Sequence, residues 1–205
     1  MQKVPKTLVP QRPPSVVFGR AIAESWDSGD DRIMSIFPAD VANSNATPIT
    51  DTLIRQQVED LLTDYAHALD DFELDRWPDF FTEDGIYQII PRESYDQNLP
   101  LGILFCDGRG MMVDRILALR TANIFEPHTN SHITGRPKLS QSDDGTINAR
   151  SNFNITRTMQ DGRMEIYATG KYVDVITFVS GKPLFKDRRV VLESRRVDIL
   201  LVYPL

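Results

Sequence analysis

Two of the three histidines, His128 and His132, stand four residues apart. On a helix that spacing would bring both imidazoles to one face and make half of a metal site. Here the flanking Pro127 and Gly135 mark a loop that enters a strand. At ~3.3 Å per residue, strand positions four apart share a face but lie roughly 13 Å from each other, too far to bind one ion. No metal ligand is therefore assigned. Acid–base chemistry is open to Tyr65, Asp70, Tyr87, Asp114 and His132 where a fold buries them in an apolar cavity, because desolvation raises a carboxyl pKa toward that of a useful acid or base. Each has a plainer role: Asp70 as a helix cap, Tyr65 as a core residue with a bonded hydroxyl, Asp114 as partner of an arginine, His132 as a satisfied strand histidine. No catalytic residue is assigned on this basis. An acid–base reading, a stand-alone dehydratase or isomerase, would rest on Asp70, Tyr65 and His132. Nucleophilic and phosphate chemistry find less support. There is no G-x-S-x-G, Cys106 has no histidine near it in sequence, and Gly108-Arg109-Gly110 is followed by no lysine.

Composition narrows the classes further. One cysteine among 205 residues cannot form an internal disulfide or a cysteine cluster for zinc or iron–sulfur. A reducing, cytoplasmic setting is expected. The formal charge of -6 opposes a nucleic-acid partner, and the apolar runs fall far short of the ~20 residues that span a bilayer.

The elements that must position these residues are set by periodicity. Residues 1–50 hold six of the thirteen prolines and show no sustained period, which predicts an extended arm. Residues 51–205 are expected to form the folded domain. Ile54, Val58, Leu61, Leu62, Tyr65 and Leu69 recur at helical spacing and predict a helix over 51–69 capped by Thr50. Asp70 to Glu73 has the D-x-x-E pattern of a capping box for a second, short helix bearing Leu74, Trp77 and Phe81, with Pro78 limiting its length. Next come a strand over 86–90, a loop over 92–106 and a third helix from about Asp107, the last burying Met112, Ile116 and Leu119. The period then becomes two. Strands are predicted over 146–159, 163–178, 183–193 and 196–203, with Asp144-Gly145, Asp161-Gly162 and Ser180-Gly181 at the turns and Gly170 as a bend. The fold class is α+β: about three helices packed on one face of a long, curved, antiparallel sheet, forming a cone. Residues 51–84 carry eleven acids and two bases while 85–205 carry thirteen acids and sixteen bases, a segregation that favours homotypic contacts between copies.

Two segments resemble a known family. The run from Tyr65 to Tyr87, YAHALDDFELDRWPDFFTEDGIY, resembles the helix–helix–strand opening of the NTF2-like superfamily. The run from Met111 to His132, MMVDRILALRTANIFEPHTNSH, is similar to the small (beta) subunits of aromatic-ring-hydroxylating Rieske oxygenases, of the terephthalate and substituted-benzoate subgroup. There a D-R-x-x-A-L-R helix leads to a glutamate loop and a histidine entering the sheet, as do Asp114, Arg115, Ala118, Leu119, Arg120, Glu126 and His132 here. The resemblance covers about residue 51 to the C-terminus. It implies a non-catalytic subunit that supports a large (alpha) subunit, in an α3β3 hexamer, during aromatic-compound catabolism. It also implies that the Rieske [2Fe–2S] cluster and mononuclear iron belong to that partner and that no cofactor binds this chain. The residues agree, since a Rieske cluster needs two cysteines and this chain has one. Arg115, Arg120, Glu126 and the segment 92–106 are the expected subunit contacts. Because a buried arginine costs several kcal/mol unless paired, Arg115 is expected to pair with an acid, Asp114 or one from another subunit.

Overall fold

The computed structural model describes residues 47–99, 102–122, 126–194 and 204–205. Of the expected arm over 1–50 only the last four residues are among them, and the strand expected over 196–203 lies outside them. The described chain opens with a two-residue strand β1, Thr47–Pro48, followed by helix α1, Thr52–Asp70. Its cap is Asp51, not Thr50: the carboxylate accepts from the backbone N–H of Leu53 at 2.8 Å and Ile54 at 3.3 Å, two donors left free by the first turn. The apolar stripe Val58, Leu61, Leu62, Tyr65, Ala68 and Leu69 is buried.

The expected capping box after α1 does not form. Phe72 turns the chain through the left-handed region at φ 60°, Glu73 caps without a side-chain hydrogen bond, and the Asp70 carboxylate is engaged elsewhere. The chain then winds into a 3₁₀ helix, Leu74–Phe80, with Leu74, Trp77 and Phe80 buried. Strand β2, Phe81–Pro91, begins five residues earlier than its periodicity predicts, because an irregularity between Phe81 and Ile86 breaks the alternation. The segment 92–106 is not a plain loop. It contains the short helix α2, Arg92–Asp96, and most of strand β3, Leu104–Asp107, whose four residues pair with β2 from Ile86↔Asp107 to Ile89↔Leu104. Helix α3, Arg109–Ala122, buries Met112, Ile116 and Leu119 as expected.

Strands β4, His128–Thr134; β5, Lys138–Gln141; β6, Ile147–Met159; β7, Met164–Val179; and β8, Lys182–Leu192 complete one eight-stranded sheet. Its order is β1-β5-β6-β7-β8-β2-β3, with β4 also on β6. All pairings are antiparallel except β2 with β8, which is parallel, so the sheet is mixed at that one seam. Register shifts at Ile155/Thr156 and Val175/Ile176 bend the long strands. Gly170 lies where backbones crowd: a β-carbon there would stand 2.1 Å from the Val191 carbonyl oxygen and 3.0 Å from the Phe153 ring. One main core joins α1, the 3₁₀ helix, α3 and the inner sheet face, while Ile90, Val173 and Val191 form a small cluster on the outer face under Tyr95 of α2. This is the α+β arrangement expected, with an open sheet.

Candidate functional site

Among the described residues, three groups of buried polar side chains hold the candidate residues or adjoin them, and a fourth buried pair, Asp187 with Arg189 at 2.8 Å, lies apart from them. The first joins Asp70 at the C-terminus of α1 to His132 on β4, 62 residues away. Asp70 Oδ1 lies 2.5 Å from His132 Nδ1, and Asp70 Oδ2 accepts from the His132 backbone N–H at 2.8 Å. The histidine side chain is 1% exposed and its Nε2, sealed from solvent, has no hydrogen-bond partner. A carboxylate on Nδ1 fixes the imidazole so that Nε2 faces inward as an acceptor, which is the geometry of a general base. Two of the three residues of the acid–base reading are thus brought together.

Tyr65, the third, belongs to a different group. Its hydroxyl donates to the Leu205 oxygen at 3.0 Å and accepts from Trp77 Nε1 at 3.2 Å. Tyr87 closes the same arrangement, donating to the Leu205 oxygen at 3.1 Å and accepting from the Leu205 N–H at 2.8 Å. Edge-on contacts among Tyr65, Trp77, Phe81 and Tyr87, with ring centroids 5.0–6.4 Å apart, pack the space around them. Burial raises the pKa of both tyrosines, Tyr87 well above the ordinary phenol value, so both keep their protons at neutral pH.

The third group was not foreseen from the sequence. Arg188 on β8 is 1% exposed and donates from Nη1 to Asp174 Oδ2 at 3.0 Å, with Asp174 fully buried on β7. The guanidinium carbon lies 4.0 Å from the Tyr65 ring centroid, 3.9 Å from that of Tyr172 and 4.5 Å from that of Phe185. Burial pushes the Asp174 carboxyl up to about 7, against the opposing pull of Arg188. Strict alternation from Phe185 would aim Arg188 outward. The irregularity that skips Lys186 in the β7–β8 register reverses the phase and turns it in. The available signal was Asp174 itself, an acid at the inward phase between Tyr172 and Ile176.

The remaining candidates lie outside these groups. Cys106 is buried on β3, and burial raises its thiol pKa in spite of the nearby Arg115 charge. Arg115 is half-buried on α3, and Asp114 beside it is exposed. Arg120 is exposed and donates to Asp75 of the 3₁₀ helix at 2.7 Å. Glu126 is exposed, and its carbonyl oxygen lies 2.8 Å from His128 Nδ1. His128 and His132 both sit on β4, four apart on an extended strand. Among the described residues, no three His, Cys, Asp or Glu side chains gather as a metal would require, and no helix is long and apolar enough to cross a membrane.

Against known proteins, residues 50–189 match the model of the SnoaL-like domain. Over 141 residues, 69% of this chain, the sequence is 38% identical to the small subunit of anthranilate 1,2-dioxygenase from Burkholderia cepacia, covering 88% of that protein. Over the same length it is 37% identical to a beta subunit of the terminal oxygenase component of terephthalate 1,2-dioxygenase from a Comamonas species, covering 92% of it. Among solved structures, the beta subunit of an aromatic-ring-hydroxylating dioxygenase from Novosphingobium aromaticivorans aligns with TM-score 0.69 and 34% identity, over 75% of this chain and 97% of that one. The beta subunit of benzoate 1,2-dioxygenase from Burkholderia mallei, at 18% identity and TM-score 0.57 over 69% of this chain and 93% of that one, shares the fold.

Proposed function

Since the chain belongs to the SnoaL-like domain family, among the small subunits of aromatic-ring dioxygenases, we propose that it is the non-catalytic beta subunit of a Rieske-type aromatic-ring-hydroxylating oxygenase. The observation that carries the reading is the 38% identity to a dioxygenase small subunit across nearly the whole of that relative. The interior fits it. Tyr65 and Tyr87 are committed to Leu205, Trp77 to the Tyr65 hydroxyl and both Asp70 oxygens to His132, so that among these groups His132 Nε2 alone keeps a free valence, and it is sealed from solvent.

The partner in this reading is the large subunit, which carries the Rieske cluster and the mononuclear iron, in a cytoplasmic α3β3 assembly with homotypic beta contacts as well. In this reading residues 51–205 are the assembling domain and 1–50 an added arm whose last residues join the domain, β1 pairing with β5 and Ile49 entering the core; the family match over 50–189 supports a boundary near there. Arg115, Arg120 and Glu126 remain the proposed contact residues. Exposed Ile103, Phe105, Val113 and Leu117 on β3, its approach and α3 lie in the same stretch of chain and add apolar surface suited to burial on assembly. The test is co-expression with a Rieske oxygenase large subunit from the same genome. Co-elution of both chains in a particle much larger than either is expected, and a chain that stays monomeric and never associates sinks the reading. A second reading, a stand-alone dehydratase or isomerase, draws on the unpartnered His132 Nε2. It requires turnover of a small cyclic substrate by the isolated chain, lost on Asp70→Asn.

A further inference from the structure

Three buried side-chain polar atoms, Tyr172 Oη, Arg188 Nε and Glu59 Oε1, make no hydrogen bond of ordinary geometry and belong to residues that line a single cavity of about 200 Å³; the Tyr172 hydroxyl stands beside the Arg188 guanidinium, and Glu59 Oε1 faces Arg55 and Arg136 at 3.7 and 3.8 Å. A fourth such atom, Asp174 Oδ1, belongs to the carboxylate paired with Arg188. The cavity opens between α1 and the turn from β4 to β5, and neither Asp70 nor His132 lines it. Its inner end is made by Tyr172 and Arg188, its wall by Leu62, Pro137 and Ser151, and its rim by Glu59 and Arg136. An unmet buried donor costs free energy that a ligand or ordered water would recover.

We propose that this cavity is a binding site for a small monocarboxylate with an apolar body, its two oxygens accepting from Arg188 Nε–H and Tyr172 Oη–H. Three features favour that class. The guanidinium lies over the Tyr172 ring, its Nε–H and the Tyr172 hydroxyl each have no acceptor, and two neighbouring donors suit the two oxygens of a carboxylate. The lining carries Arg136 and Arg188 against Glu59, an excess of one positive charge, and the rise of the Asp174 carboxyl to about 7 lessens the negative charge behind Arg188. The volume is below the roughly 300–1,000 Å³ of drug-sized sites, which limits the occupant to about one ring or a branched chain. Leu62, Pro137 and the Tyr172 ring would cover its apolar part.

The site is independent of the assembly reading and is tested on the full chain without a large subunit. Calorimetric titration with benzoate as probe is expected to show one site, with benzamide, its neutral counterpart, bound at least about tenfold more weakly. Tyr172→Phe is expected to weaken benzoate about tenfold while leaving the melting temperature of the unliganded chain unchanged or higher, since it removes a buried hydroxyl that has no acceptor. Ser151→Leu fills the cavity across from Tyr172, its partner in the β6–β7 register, and should abolish binding. Arg188→Gln should do the same; should that variant not fold, Tyr172→Phe and Ser151→Leu decide. No binding of benzoate at millimolar concentration, equal affinity for benzamide, or undiminished affinity in folded Ser151→Leu would each overturn the proposal.

Discussion

Replacing Asp174 with alanine leaves the Arg188 guanidinium in a site that is 1% exposed, with its carboxylate partner gone. Breaking a buried pair by removing one member costs about 3–5 kcal/mol, because the other charge stays desolvated and unmatched. Three aromatic rings within 4.5 Å of the guanidinium carbon remain, and desolvated cation–π contacts of about 2 kcal/mol hold the expected loss toward the lower end of that range. Replacing both members, Asp174→Leu with Arg188→Met, should recover most of the loss, since no charge is then buried. The pH dependence has a definite sign. The folded state holds the Asp174 proton up to about 7, whereas the unfolded chain releases it near 3.8. Between those values the folded state binds the extra proton, so this group's contribution to stability falls as pH rises from about 4 to about 7 and is level outside that window. The size is a few kcal/mol. Urea unfolding followed by tryptophan fluorescence, which Trp77 in the core reports, should show the wild type losing stability relative to Asp174→Ala over that interval. Three outcomes would refute the reasoning: a single substitution costing under about 1 kcal/mol at pH 4, where this group's contribution is fully present, a double variant no better than the single, or a wild-type-minus-variant difference that is flat from pH 4 to pH 8.

Three other substitutions probe separate parts of the fold. Gly170→Ala would bring a methyl group to 2.1 Å from the Val191 oxygen, so a loss of about 3 kcal/mol or outright failure to fold is expected by chemical denaturation; a loss under about 1 kcal/mol would mean that β7 and β8 separate cheaply. Tyr87→Phe removes the donor to the Leu205 oxygen and orphans the Leu205 N–H, at about 1–3 kcal/mol, and should speed release of the C-terminal residues by carboxypeptidase; an unchanged release rate would show that Tyr87 does not hold them. Asp70→Asn weakens the tie between α1 and β4 by about 1–2 kcal/mol in thermal unfolding and should leave turnover by an assembled oxygenase unchanged, whereas lost turnover in an intact assembly would contradict a purely structural role.

What was legible in the sequence is what local periodicity encodes. Helix α1 is nineteen residues of amphipathic pattern, and β6 alternates cleanly through Ile147, Ala149, Phe153 and Ile155. The turn glycines Gly145, Gly162 and Gly181 have φ of 84°, 84° and 80°, so residues that tolerate the left-handed region marked the hairpins correctly. Three strands, β1, β3 and β5, leave no mark in the sequence, because two to four residues carry no period and become strands only by pairing with a neighbour. The parallel seam between β2 and β8 is likewise a pairing of segments a hundred residues apart. The interior polar groups were half legible. Tyr65, Asp70 and His132 stood out by type, but which of them meet depends on contacts 62 and 140 residues apart, and Arg188 was hidden by one skipped residue in a register.

The same contacts explain how this interior can suit support rather than turnover. A catalytic acid or base needs a free valence facing a space where a substrate can sit. The hydroxyls of Tyr65 and Tyr87 have no such valence, because Leu205 and Trp77 take them, and Leu205 is itself fully buried among them. His132 keeps a free Nε2, yet that atom is sealed from solvent and does not border the cavity at Arg188. Its two bonds to Asp70 instead join the end of α1 to β4, while Arg188 and Asp174 link β7 and β8 beneath the rings of Tyr65 and Tyr172. Polar groups fixed in this way resist sliding of helix on sheet, since any shift would strand a charge or a donor in a dry core. A subunit whose task is to present an unchanging surface to a partner gains from that resistance, and an enzyme that must admit and release a substrate does not.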